Sequence, residues 1–152
     1  MIWEIIFHEK FEEWFFGEEP EVQDSIAMVL DILEAQGASL GRPYVDTIKG
    51  STFPNMKELR VQHDGNPYRI LFAFDPQRQA VLLIGGNKRG DKRWYEVNIP
   101  IVDRRFAEYL EETNGGESLW AKNTEPIEKS DKNFLLRDSK KLVLVPQKLT
   151  TG

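Results

Sequence analysis

The chain contains no cysteine, which excludes a disulfide framework and any zinc site built on thiolates. Histidine is almost as scarce. His8 and His63 are the only two in 152 residues, too few for an imidazole metal centre, so neither a metal nor a cofactor is expected. No apolar run approaches the roughly 20 residues that a membrane helix needs. The N-terminal stretch MIWEIIFHEKFEEWF is too acidic for a signal peptide. A cytoplasmic protein without a membrane partner is the expectation. The sequence also has no internal repeat.

Apolar residues make up 40% of the chain, enough for a real core, and the length suits one compact domain with room for an appendage. The net charge of −5 hides an asymmetry. Residues 1–41 carry ten acids and one cation, Lys10, for −9, whereas residues 42–95 carry ten cations and five acids, for +5. Local fields govern binding, so the middle of the chain can attract an anionic partner despite the overall sign. The alternative is an ordinary solvated surface over which charges scatter.

IWEIIF (residues 2–7) is short, apolar and β-favouring, and reads as a first strand. From His8 to Phe16, the spacing of Phe11, Trp14 and Phe15 predicts a short amphipathic helix, which GEEPE ends. Pro20 suits the first turn of a second helix, and Glu18, Glu19 and Glu21 suit its positive end. That helix is expected to run to about Ala35 on a stripe of Val22, Ile26, Val29, Leu30 and Leu33, with Gly37 as its stop. A short strand near Tyr44–Ile48 precedes three further strands, at 56–63, 68–75 and 80–86. The turns DGNP and PQRQ between them favour an antiparallel meander. Ile101 to Glu112 reads as a last helix, ended by NGG at 114–116. Residues 117–152 are patchier. LVLV at 142–145 is a strand candidate, and the segment is read as a partly ordered extension or as a strand added to a neighbour's edge.

The stretch GGNKRGDKRWYE, residues 85–96, places Lys88, Arg89, Lys92 and Arg93 before Trp94 and Tyr95. In an alternating strand, neighbours point to opposite faces. Leu59 and Val61 therefore share one face of KELRVQH, and Glu58, Arg60 and Gln62 the other. In YRILFAF, Tyr68, Ile70, Phe72 and Phe74 oppose Arg69, Leu71 and Ala73. If helices cover the face bearing Leu59 and Phe72, Arg60 and Arg69 lie together on an open face beside the basic loop, and the two glycines let the chain leave the sheet. Guanidinium groups can grip phosphate oxygens with paired hydrogen bonds. An aromatic ring can stack on an unpaired base, worth roughly 1–3 kcal/mol. Each element also has a structural reading. Arg60 beside Glu58 can be an ion pair, Arg69 can snorkel from an edge, and the basic loop can be a solvated turn. Trp94 and Tyr95 can anchor the last helix in the core, the preferred reading for Trp94. His63 can satisfy a turn, and His8 reads as structural.

Taken together and in order, GRPYVDTIKGS, MKELRV, YRILFAFD and VLLIGGNKRG resemble the toxins of the RelE/ParE superfamily, in particular a HigB-like, phage-derived branch. The resemblance covers about residues 1–113 and sets a toxin domain at 1–116 apart from an extension at 117–152. It implies an α+β fold in which two N-terminal helices pack on an antiparallel sheet, with a C-terminal helix. It also implies a toxin of a type II toxin–antitoxin system that cuts messenger RNA on the ribosome without a metal. The 2′-hydroxyl attacks the adjacent phosphorus, cations stabilise the developing charge, and a general acid protonates the leaving oxygen. A cognate antitoxin, encoded nearby, would neutralise it.

Carried over residue by residue, Arg60 and Arg69 match the phosphate-contacting arginines, and Lys88 and Arg89 match the basic positions after the last strand. Tyr95 lies near a late aromatic that stacks or takes part in proton transfer; as a base it would need cations to lower its pKa from about 10. Lys57, Lys92, Arg93 and Trp94 are expected to help bind substrate. Unlike some HigB proteins, this chain has no histidine in its C-terminal segment. The superfamily also has gyrase-directed members, so a protein-binding toxin without catalysis, or an inert antitoxin partner, is the alternative.

Overall fold

A computed structural model describes residues 3–114. In chain order the elements are β1 (Glu4–Phe7), α1 (Glu9–Phe16), α2 (Pro20–Gln36), β2 (Val45–Thr47), β3 (Lys57–His63), β4 (Asn66–Phe74), β5 (Gln79–Asn87) and α3 (Trp94–Asn114). The fold is α+β as expected, with two N-terminal helices against the sheet and a third helix at the C-terminal end of the described residues. The LVLV strand candidate and the expected 117–152 extension lie outside those residues.

Both N-terminal helices start and stop where their sequences provide for it. The His8 side chain accepts a hydrogen bond from the Lys10 amide and caps α1. Pro20 opens α2, and Gly37, at a φ of 55° that few other residues tolerate, closes it. Their stripes bury Phe11, Phe15, Ile26, Leu30 and Leu33 against Leu59, Val61, Ile70, Phe72 and Leu82 of the sheet. Each such fully buried side chain contributes about 1.5–3 kcal/mol of transfer free energy.

The five strands lie in the order β1-β5-β4-β3-β2. The meander from β2 to β5 is antiparallel, but β1 pairs with β5 in parallel. The sheet is therefore mixed rather than wholly antiparallel. After α1 and α2 the chain re-enters at the far edge, and three reversals bring β5 beside β1 running the same way.

The second face of the sheet is not open. Leu71, Ala73, Val81, Leu83 and Ile84 form a second core with Trp94, Val102, Phe106 and Tyr109 of α3. A bulge in β5 makes this possible. Leu71 pairs with Ile84 and Phe72 with Leu82, so Leu83 is the extra residue and both Leu83 and Ile84 are buried on this side. The helix itself begins at Trp94 rather than Ile101 and continues through Pro100. Proline removes one backbone donor, but Trp94, Ile99 and Val102 on either side of it pack into the second core and hold the helix together.

Gly85 and Gly86 sit inside β5 and do not release the chain from the sheet. Each makes room for an indole on opposite faces. A Cβ on Gly85 would stand 2.4 Å from the Trp14 ring, and one on Gly86 would stand 2.8 Å from Trp94 Nε1.

Candidate active site

Arg60 and Arg69 face each other directly across β3 and β4. Like charges in such a pair repel, and the fold answers with a carboxylate. Glu58, two residues along β3 on the same face, accepts a hydrogen bond at Oε2 from Arg60 Nη1 at 2.8 Å. Its Oε1 lies 3.7 Å from Arg69 Nε. That oxygen also accepts a hydrogen bond from the Tyr95 hydroxyl at 2.5 Å. Only 5% of Glu58 and 5% of Arg69 is exposed. An isolated carboxylate at such a depth costs several kcal/mol, so three donors gather round it. Two guanidiniums against one carboxylate leave the cluster a formal positive charge. The Arg60 side chain is 33% exposed and forms the outward-facing member.

Arg60 and Arg69 therefore converge, but not as two free cations on an open surface. Arg69 lies beneath the surface, where its Nη1 donates to the Tyr68 carbonyl at 3.0 Å. Its Nε has no hydrogen-bond partner among the described residues. Of the two guanidiniums, Arg60 is the one more accessible from solvent.

Tyr95 comes from the first turn of α3. Its position follows from Trp94, whose ring is 6% exposed and lies on Gly86. Of the two readings for Trp94, the structure shows the core anchor, and the ring is not free to stack on a base. The Tyr95 ring, at 89° to that indole, turns the other way toward Glu58. Burial pushes the Tyr95 hydroxyl up to about 12, and the neighbouring Glu58 carboxylate adds to this while Arg69 opposes it. Cations do not lower Tyr95 into the range of a base. It holds its proton at neutral pH and acts as a donor.

Beside this cluster a cleft of about 280 Å³ opens between β2 and α3. Thr47, Ile48, Lys49, Glu58, Tyr95 and Ile99 line it. Ligand pockets commonly measure about 300–1,000 Å³, and this cleft lies just below that range. Lys57, whose Nζ donates to Thr47 Oγ1 at 3.2 Å, stands at the β2 edge. Lys88 Nζ lies 5.7 Å from the centre of the Tyr95 ring.

The rest of the basic loop is spread more widely. Arg89 Nη1 donates to Asn66 Oδ1 at 3.2 Å and to the Gly65 carbonyl at 3.4 Å, which ties it to the β3–β4 turn. Arg93 pairs with Glu96 at 3.2 Å on an exposed surface, and Lys92 is exposed. His63 bonds Ser25 Oγ at 2.8 Å and braces β3 against α2. The acids of α1 and α2 lie across the sheet from the cluster, which separates the two signs of charge between opposite faces.

Sequence reasoning treats Glu58 only as a counter-ion for Arg60 and does not single out Thr47, Ile48, Lys49 or Ile99. A usable signal is present. Glu58 is one of only five acids in the basic segment 42–95, and it shares a strand face with Arg60.

Three comparisons bear on this arrangement. Residues 13–107 match the family model described as phage-derived protein Gp49-like. Over 113 residues the chain is 50% identical to HigB3 of Mycobacterium tuberculosis, a protein named as a toxin, covering 74% of this chain and 97% of that one. It is 44% identical over 104 residues to HigB2 of the same organism, also named as a toxin; the match covers 67% of this chain and 52% of HigB2. A solved structure of a double mutant of the Escherichia coli toxin RelE in the free state aligns with a TM-score of 0.46 at 10% identity, over 63% of this chain and 94% of that one.

Proposed function

Since this chain belongs to the Gp49-like family, a HigB-like branch of the RelE/ParE toxins of toxin–antitoxin systems, we propose that it is an endoribonuclease that cuts messenger RNA on the ribosome. The observation that carries this reading is the gathering of Arg60, Arg69 and Tyr95 around Glu58, with Lys88 near the Tyr95 ring and with Glu58 and Tyr95 lining a cleft. In-line attack of a 2′-hydroxyl on the adjacent phosphorus builds negative charge on the non-bridging oxygens. Arg60 and Lys88 receive that charge, Arg60 through a planar fork suited to two phosphate oxygens. Tyr95, which keeps its proton at neutral pH, donates to the departing 5′-oxygen. Lys49 and Lys57 at the β2 side hold the neighbouring backbone. The acidic helices face away from the RNA, so the local field rather than the net −5 governs approach. The partner that silences the toxin is an antitoxin covering this same cleft.

Expression without an antitoxin arrests growth in this account, and Tyr95→Phe combined with Lys88→Ala restores it, with codon-linked cuts in cellular messages disappearing in parallel. A second reading draws on the fact that Glu58 already pairs with both Arg60 and Arg69. In it the protein is a toxin that binds another protein and catalyses nothing. Growth arrest that persists in the double variant, with messages intact, supports that reading instead.

A further inference from the structure

We propose that Glu58 is the general base of the cleavage step, and that Arg60 uncovers it by leaving its carboxylate for the incoming phosphate. The inference rests on the nuclease reading above and assigns the group that accepts the 2′-hydroxyl proton.

The geometry separates the two oxygens of Glu58. Oε1 is held from within, by the Tyr95 hydroxyl at 2.5 Å with Arg69 Nε at 3.7 Å behind it. These partners come from α3 and β4, and Arg69 is buried, so the carboxylate stays in place when a ligand arrives. Oε2 is held from without, by the hydrogen bond from Arg60. Arg60 is the exposed member of the pair and sits on a flexible stem, so exchanging one anion for another needs only a side-chain rotation. A phosphate offers this guanidinium two oxygens where Glu58 gives it one bond. Once Arg60 has turned, Oε2 is an unoccupied acceptor on a residue that lines the cleft. Substrate binding thus creates the base it needs, and the free enzyme keeps that base capped.

The protons balance over the full cycle. Glu58 Oε2 takes the proton of the 2′-hydroxyl as the new 2′-oxygen–phosphorus bond forms. The phosphorus–5′-oxygen bond breaks, and the leaving oxygen takes the proton of Tyr95. Once the products leave, Glu58 Oε2 releases its proton to water and the Tyr95 oxygen takes one from water, which restores its hydrogen bond to Oε1. The products are a 2′,3′-cyclic phosphate and a 5′-hydroxyl, and both side chains regain their starting states.

The test compares wild type with Glu58→Gln in two assays, single-turnover cleavage of mRNA on programmed ribosomes and binding of the same complex carrying a 2′-deoxy substitution at the cut site. Glutamine keeps the shape and an acceptor for Tyr95 but is no base. The expected result is a cleavage rate lower by about 10²- to 10⁴-fold, with binding of the deoxy complex unchanged or tighter. If Glu58→Gln cuts as fast as wild type, or faster, Glu58 is only a counter-ion and the inference is overturned while the nuclease reading stands. Parallel loss of cleavage and binding assigns a structural role and overturns it too. A wild type that binds and cuts nothing overturns the nuclease reading, and this one with it. Should glutamine prevent folding, Glu58→Asp draws the carboxylate back by one methylene; the inference then requires slower cleavage with intact binding, and an unchanged rate overturns it.

Discussion

The Tyr95 hydroxyl donates to Glu58 Oε1 at 2.5 Å, and this bond joins the first turn of α3 to the middle of the sheet. It couples the fold to the candidate site. Tyr95 points there because Trp94 is seated on Gly86, and Glu58 is buried there because Arg60 and Arg69 surround it.

Arg69 and Arg60 differ in depth, so their replacements differ in cost. Arg69→Met leaves Glu58 without its buried counter-ion and is expected to lower stability by about 3–5 kcal/mol. Arg60→Met acts on a side chain 33% exposed, and Glu58 keeps Tyr95 and Arg69, so the expected loss is about 1 kcal/mol or less. Urea unfolding of the two variants measures the difference. Equal losses contradict the assignment of Arg69 as the inner and Arg60 as the outer partner.

The paired glycines give a matched test of site and scaffold. Gly86→Ala places a methyl 2.8 Å from Trp94 Nε1, and Gly85→Ala places one 2.4 Å from Trp14. Each overpacks its site and is expected to cost about 1–3 kcal/mol. Only Gly86→Ala displaces Trp94, and with it Tyr95. RNA cleavage below the melting range should therefore fall in Gly86→Ala and hold in Gly85→Ala.

Much of the fold is legible in the amino-acid sequence. The apolar stripe of α2, the cap at Pro20, the DGNP and PQRQ turns and the strand alternation each have a local cause in neighbouring residues, and those elements appear where expected. What stays hidden depends on contacts distant in sequence. Pro100 reads as a boundary, yet packing at Trp94 and Val102 carries α3 through it. A bulge at Leu83 has no mark in LLIGG, so neither the second core nor the covered face can be read there. At the site, the alternation rule places Arg60 and Arg69 on one face. It cannot place Glu58 beside Tyr95, because a strand acid normally reads as solvent-facing and the two residues meet only when α3 folds back.

Alkaline titration examines the Tyr95–Glu58 bond directly. The hydroxyl is raised to about 12 in the folded protein, against about 10 in an unfolded chain. A raised value means that the stabilisation is complete below about pH 10 and is lost as pH climbs through about 12. Tyr95→Phe is therefore expected to be less stable than wild type at neutral pH by about 1–3 kcal/mol, with the gap closing between about pH 10 and 12. A gap that is constant across this range speaks against the bond. Tyrosinate absorbance should also lose its titration near 12 in the variant.

The most direct measurement of the central claim is the chemistry of the RNA ends. Purified protein is added to ribosomes programmed with a defined message, and both termini at each cut are identified. The account predicts discrete cuts with a 2′,3′-cyclic phosphate or its 3′-phosphate hydrolysis product upstream and a 5′-hydroxyl downstream, all lost in Tyr95→Phe combined with Lys88→Ala. Intact message, or cuts bearing a 3′-hydroxyl and a 5′-phosphate, would contradict it.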